Sequence, residues 1–185
     1  MSINISEKLL SEIQKWIHWH HSGYQFKIDS QAWENILHKS FLACDLNSTW
    51  NAGSHSQGVD IVCENLKISC KGGSIEGKRT PKLTISSHRT TKYETLTEKL
   101  NYISENHEDE IWSLVQINEN KYRLHIFKKP NFKEYDWKKT TSGWSGNLRK
   151  NKARIQKKMS DQLWFDLDYQ EFLEKNLYYD FTIFE

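Results

Sequence analysis

Residues 58–71, Gly-Val-Asp-Ile-Val-Cys-Glu-Asn-Leu-Lys-Ile-Ser-Cys-Lys, constrain the fold of this chain more than any other stretch. Apolar and polar side chains alternate through it with a period of two. That pattern suits a half-buried strand and not a helix. Glu64-Asn65 separates the two runs and reads as the tight turn of a hairpin. Val59, Ile61 and Cys63 then share one face of the first strand, with Asp60 on the other. On the second strand Leu66, Ile68 and Cys70 share a face, and Lys67, Ser69 and Lys71 share the opposite one. Gly72-Gly73 ends the unit.

Helical periodicity flanks this hairpin. Ser6 is placed to cap a helix to about Trp19, with Leu9, Leu10, Ile13, Trp16 and Ile17 as its apolar stripe and Gly23 closing the segment. A second helix is expected from Ser30 to about Cys44, burying Trp33, Ile36, Leu37, Phe41 and Cys44. Residues 47–58 are turn-rich and read as a loop. Beyond the hairpin, Lys82–Ser86 reads as a strand and Thr91–Ile103 as a helix striped by Tyr93, Leu96, Leu100 and Ile103. Ile111–Ile117 and Tyr122–Phe127 read as strands. So does Leu163–Leu167, with a short helix at Phe172–Leu177. The second half of 138–158, with Ala153, Ile155 and Met159, fits a helix. The expected fold is a single α/β domain over residues 1–185, a mixed β-sheet flanked by helices. It comprises N-terminal helices over 6–45, the hairpin and helix over 58–103, and a basic segment over 138–158.

Charge is unevenly spread along the chain. Eight of the 26 Lys and Arg fall between Lys138 and Lys158, where no Asp or Glu occurs, leaving 18 basic against 24 acidic side chains elsewhere. Such a patch on an acidic body suits a polyanion, although a solvated face has the same composition. An aromatic content of 13% opposes disorder. No apolar run nears the roughly 18 residues of a membrane helix. The start, MSINISEKLL, lacks a signal pattern, so a cytoplasmic protein is expected. Cys44, Cys63 and Cys70 lack zinc spacing and read as reduced, buried thiols. His18 and His21 lie three apart, yet no second cluster completes a metal site with them. No Walker loop, Rossmann glycine fingerprint or Gly-x-Ser-x-Gly elbow occurs, so no nucleotide cofactor is expected.

An acid and a lysine on adjacent strands form a plausible hydrolytic centre. Asp60 offers hard oxygen to Mg²⁺. Lys71 can orient or deprotonate a water and balance phosphate charge. This Asp60…Ser69-x-Lys71 pattern resembles the PD-(D/E)xK nuclease superfamily, and within it the type II restriction endonucleases. Asp60 matches the first acid and Lys71 the lysine. Val59 stands where proline is common, and Ser69 stands where a second acid is expected. Some restriction enzymes of the superfamily carry Ser-x-Lys and bring the missing carboxylate from a later helix. Glu94 and Glu98, read as one turn apart on the 91–103 helix, fill that role here, with Glu76 a loop alternative. Glu34, on an early helix, can add a metal ligand. The stretches Ser86–Leu96 and Met159–Trp164 also look like passages in small restriction enzymes.

The resemblance implies Mg²⁺-dependent hydrolysis of double-stranded DNA at a specific site by a homodimer. Ser86, His88, Arg89, Thr90 and Thr91, read at a helix start, are candidate phosphate contacts, as is Arg79; helix capping by Thr90 or Thr91 explains the threonines equally well. Asn147, Arg149, Lys150, Asn151, Lys152 and Arg154 are candidate base and backbone readers. Ser54, His55 and Gln57, in the 51–57 loop, form a second candidate reader. Two other functions fit the same residues: a structure-specific repair or junction nuclease, and a DNA-binding module whose Ser69 records a lost metal site.

Overall fold

The computed structural model describes residues 3–24, 27–51, 58–105, 108–157 and 161–183. The chain is a mixed α/β protein with two sheets and flanking helices. Its contacts group into two compact units built from interleaved segments. One comprises Met1–Gly72, Glu108–Lys129 and Leu177–Glu185; the other comprises Gly73–His107 and Pro130–Asn176.

The first unit opens with two helices, α1 (Glu7–Tyr24) and α2 (Ser30–Ala43). Ser6 caps α1 as expected, its Oγ accepting Leu9 N–H at 3.2 Å. Asp29 caps α2, its Oδ1 accepting Ala32 N–H at 2.8 Å. Each such cap contributes about 1 kcal/mol. The strands β1 (Ser48–Trp50), β2 (Ile61–Cys63), β3 (Leu66–Gly72), β6 (Glu110–Asn118), β7 (Lys121–Phe127) and β12 (Leu177–Thr182) form one sheet in the order β1-β2-β3-β6-β7-β12. Among the described residues only the β3·β6 pair is parallel; the chain between those two strands supplies β4 (Ser74–Glu76), β5 (Lys82–Arg89) and helix α3 (Leu96–Glu105). The expected hairpin is β2–β3, with Ile61 opposite Ile68 and Glu64 in the left-handed region at φ 53°. Its apolar face meets the stripes of both helices: Ile61, Ile68 and Cys70 join Leu9, Ile13, Ile17, Leu37 and Phe41 in one core. Trp33 closes that core by donating its indole N–H to Trp112 O at 2.9 Å, which satisfies the polar handle of a buried tryptophan.

The second unit is an all-antiparallel sheet in the order β4-β5-β11-β10-β9-β8, completed by β8 (Asp136–Thr140), β9 (Gly143–Leu148), β10 (Asn151–Lys157) and β11 (Asp161–Asp168). A 3₁₀ turn at Phe132–Glu134 and the short helix α4 (Tyr169–Lys175) complete it. Leu83, Ile85, Ala153, Ile155, Leu163 and Phe165 are buried. Two glycines in this sheet are required. A Cβ at Gly143, where φ is +140°, would lie 2.0 Å from Ile155 O. A Cβ at Gly146 would strike the Trp137 ring at 2.7 Å.

Several expectations need correction. Residues 151–157 form strand β10 and not a helix, because pairing with β9 and β11 buries Ala153 and Ile155 at a period of two. Tertiary pairing here overrides local periodicity. Helix α3 starts at Leu96, not Thr91, because Thr95 caps it. Thr95 Oγ1 accepts Glu98 N–H at 3.2 Å, and Glu98 Oε2 accepts Thr95 N–H at 2.9 Å, a reciprocal capping box. Ser86, His88 and Arg89 accordingly lie on β5 and not at a helix start. The strands β1, β4, β8, β9 and β12 are additional to those expected, and the last helix covers Tyr169–Lys175 where Phe172–Leu177 was expected, because Leu177 opens β12.

His125 on β7 is fully buried, and that burial lowers its pKa from 6.5 to about 4. A base with a depressed folded pKa loses stability as pH falls through its unfolded value. The loss begins near 6.5 and is complete near 4. At 1.36 kcal/mol per pKa unit the loss is about 3 kcal/mol. The difference in urea unfolding free energy between the wild type and His125→Gln should therefore shrink from pH 7 to pH 4. Parallel pH curves for the two proteins would remove His125 as the cause.

Candidate active site

Asp60 enters β2 pinned by its backbone. Its N–H donates to Ile68 O at 2.9 Å, and its carbonyl accepts Asn51 N–H at 3.1 Å. The paired register ends at Ile61↔Ile68, and the bond from Asp60 N–H to Ile68 O sets Asp60 beside Ser69 and Lys71, which share one face of β3. Three donors converge on one carboxylate oxygen. Asp60 Oδ2 accepts Cys70 N–H at 2.7 Å, Ser69 Oγ–H at 3.2 Å and Lys71 Nζ–H at 3.2 Å. The other oxygen, Oδ1, has no donor among the described residues. Ser69 is 1% exposed, while the Asp60 and Lys71 side chains are about one-fifth exposed. The serine therefore serves as a buried support, and the acid and lysine remain open to a ligand.

Glu34, on α2, completes the group. Trp50 of β1 donates its indole N–H to Glu34 Oε2 at 3.0 Å. Burial raises the Glu34 pKa above the ordinary carboxylate value, the Trp50 hydrogen bond lowers it, the Asp60 charge raises it and Lys71 lowers it. Glu34 thus lies within the electrostatic reach of both Asp60 and Lys71.

The other candidates are placed differently. Glu94 is exposed and precedes α3, so it does not share a helix face with Glu98. Glu98 is committed to its capping box, which holds its pKa below the ordinary value through the backbone and side-chain hydrogen bonds of Thr95. Both lie in the second unit. Glu98→Ala should therefore remove one half of the capping box and lower the thermal midpoint; an unchanged midpoint would contradict that role. Glu76 is exposed on β4 and accepts Ser74 Oγ–H at 2.8 Å.

Among the nucleic-acid candidates, Ser54, His55 and Gln57 lie outside the described residues. His88 is buried, with its Nδ1 2.7 Å from Ser87 Oγ and its ring edge-on to Tyr102; it is not a surface phosphate donor. Thr90 is buried too. Arg79 and Arg89 are exposed. Asn147, Lys152 and Arg154 fall on one sheet face, through the pairs Lys152↔Asn147 and Arg154↔Ser145. Arg149 and Lys150 form the turn between β9 and β10, with Arg149 at φ 54°. Asn151 is structural, its Oδ1 accepting Asp168 N–H at 2.9 Å. Arg154 is paired with Asp166 at 2.6 Å. Sequence reasoning missed Gln156, Gln162 and Trp164, which share the face of Arg154. The period-two run Lys152-Ala-Arg-Ile-Gln156 was the signal that reveals them.

Among the described residues, no group of three or more His, Cys, Asp or Glu side chains forms a ready metal cage. The donor set still fits Mg²⁺, which keeps several waters and takes one or two carboxylates with substrate phosphate. Asp60, with an oxygen free of donors among the described residues, and Glu34 would be the two carboxylates offered to such an ion. No protein-family model matches this chain, and no curated protein and no solved structure is significantly similar to it.

Proposed function

We propose that this chain is a Mg²⁺-dependent endonuclease of the PD-(D/E)xK type that hydrolyses phosphodiester bonds of double-stranded DNA. The observation that carries the reading is the convergence of Ser69, Cys70 N–H and Lys71 on one oxygen of Asp60. Asp60 and Glu34 would hold the metal. When bound, Mg²⁺ polarises the scissile phosphate and stabilises the leaving oxygen. Lys71 presents a cation beside Asp60, from where it can orient the attacking water and balance the charge of the pentavalent phosphorus. Ser69 and the Cys70 amide fix the Asp60 carboxylate so that its orientation costs nothing at the moment of reaction. The exposed Arg149, Lys150, Lys152 and Asn147 of the second unit supply phosphate and base contacts. Site-specific cutting by a homodimer belongs to the same proposal.

Plasmid and phage DNA incubated with the protein in Mg²⁺ should yield discrete fragments, and none in EDTA. Binding in EDTA should weaken steeply with salt, because basic side chains release counterions from DNA. Intact DNA in Mg²⁺ together with salt-insensitive binding would end this proposal.

A further inference from the structure

The first unit also carries a concave feature lined by none of Asp60, Ser69 or Lys71. A cavity of about 380 Å³ opens between α1, α2 and β1, with Trp16, Trp19 and Tyr24 from the first helix and Trp50 from the strand in its walls. Gln31 and Asn35, one turn apart on α2, supply its polar edge. Trp19 is 62% exposed and Tyr24 is 60% exposed. The two rings line one cavity, and a contiguous exposed apolar patch of this kind marks a binding surface.

We propose that this cavity receives an unstacked nucleobase of a DNA strand. The proposal rests on the nucleic-acid part of the function proposed above. Flat aromatic walls stack bases of any sequence. The amides of Gln31 and Asn35 have no hydrogen-bond partner among the described residues, and an amide presents the donor–acceptor pair that matches an adenine edge. An apolar acyl chain or a leucine-rich helix would leave both amides unpaired. Lys39 lies 4.7 Å from the Trp16 ring centroid and adds a cation for the adjoining phosphate. The cavity also connects to the candidate chemistry. Trp50 lines it and donates to Glu34, which feels both Asp60 and Lys71.

The test uses a single-stranded 12-mer, the same backbone abasic at every position, and adenosine monophosphate, all in EDTA so that no cleavage intervenes. Trp19→Ala removes an exposed ring and leaves the core intact. It should weaken binding of the normal strand about tenfold or more, as loss of a stacked base predicts. The abasic strand should bind Trp19→Ala and the wild type equally. The salt slope should be unchanged, because stacking releases no counterions. Asn35→Ala should weaken binding of adenine-containing strands more than thymine-only strands. Irradiating a 5-iodouracil strand should crosslink to peptides containing Trp16, Trp19, Tyr24 or Trp50. Equal loss on normal and abasic strands, or crosslinks confined to other residues, would overturn the proposal and leave Trp19 and Tyr24 as a face for a protein. Adenosine monophosphate binding more tightly than the strand would also overturn it, in favour of a free nucleotide. Lys71→Ala separates the two ideas: it should slow cutting about 10²- to 10³-fold and leave base-dependent binding intact.

Discussion

Asp60→Asn should fold like the wild type and cut DNA at least about 10³-fold more slowly, a loss of about 4 kcal/mol of transition-state stabilisation. The choice of asparagine follows from the hydrogen bonds. Asp60 Oδ2 is the shared acceptor for Ser69, Cys70 N–H and Lys71. Alanine would strand a backbone donor, a buried hydroxyl and an ammonium at once, so a dead Asp60→Ala protein would not distinguish lost chemistry from a disturbed hairpin. Asparagine keeps a carbonyl oxygen for the Cys70 amide and removes the charge that a divalent cation needs. Thermal midpoints within a few degrees of each other, with cutting lost, would identify the carboxylate as chemical. DNA binding in EDTA should be retained or tighter, since one negative charge near the phosphate is gone. Lys71→Met should lose about 10²- to 10³-fold through removal of the water- and phosphate-directed cation. Ser69→Ala should be milder, because the Cys70 amide and Lys71 still hold Asp60. Cutting by Asp60→Asn at the wild-type rate would defeat the proposed site.

The hairpin was legible in the sequence for a definite reason. Its two strands bury one face against helices and leave the other polar, and only a period of two satisfies both. The clustering of Asp60, Ser69 and Lys71 follows from that register. The partner of Glu34 was not legible: Trp50 lies in a stretch rich in turn residues, and nothing local marks it as a strand residue that donates to a carboxylate on α2. The basic segment misled for a different reason. Ile155 and Met159 are four apart as on a helix, while Ala153 and Ile155 are two apart as on a strand, and only pairing with β9 and β11 decides between them. His88 looked like a surface phosphate donor because it sits among Ser, Arg and Thr, yet β5 turns its ring inward. The sequence also cannot reveal when a charged residue defies the rule that ammonium groups face water.

Lys99 is that residue, and Lys99→Met should destabilise the protein by about 3 kcal/mol. Leu96, Leu100 and Ile103 mark the expected apolar stripe of α3, but the side chains buried on this helix are Lys99 and Ile103. Lys99 is 2% exposed. A buried ammonium is tolerable only if its three protons are all taken. Here Nζ donates to Thr90 O at 2.9 Å, to Tyr93 O, and to Asp161 Oδ2 at 2.6 Å. Asp161 in turn accepts Thr90 N–H on its backbone carbonyl at 2.7 Å. One side chain therefore ties the end of β5, the turn after it, helix α3 and the start of β11 within the second unit. Methionine matches the length of the stem and removes every donor, leaving two carbonyls and a carboxylate without their partner. Removing one member of such a group costs about 3–5 kcal/mol, and the partial exposure of Asp161 favours the lower end. For a chain of this length that is a fall in Tm of about 10 °C. Asp161→Asn alone should cost less, since its amide oxygen still accepts. The double variant should cost less than the sum of the two, because each removes the same interaction. Urea and thermal unfolding of the four proteins measure the cycle. A Lys99→Met protein within 0.5 kcal/mol of the wild type would mean that this ammonium does not hold the second unit together.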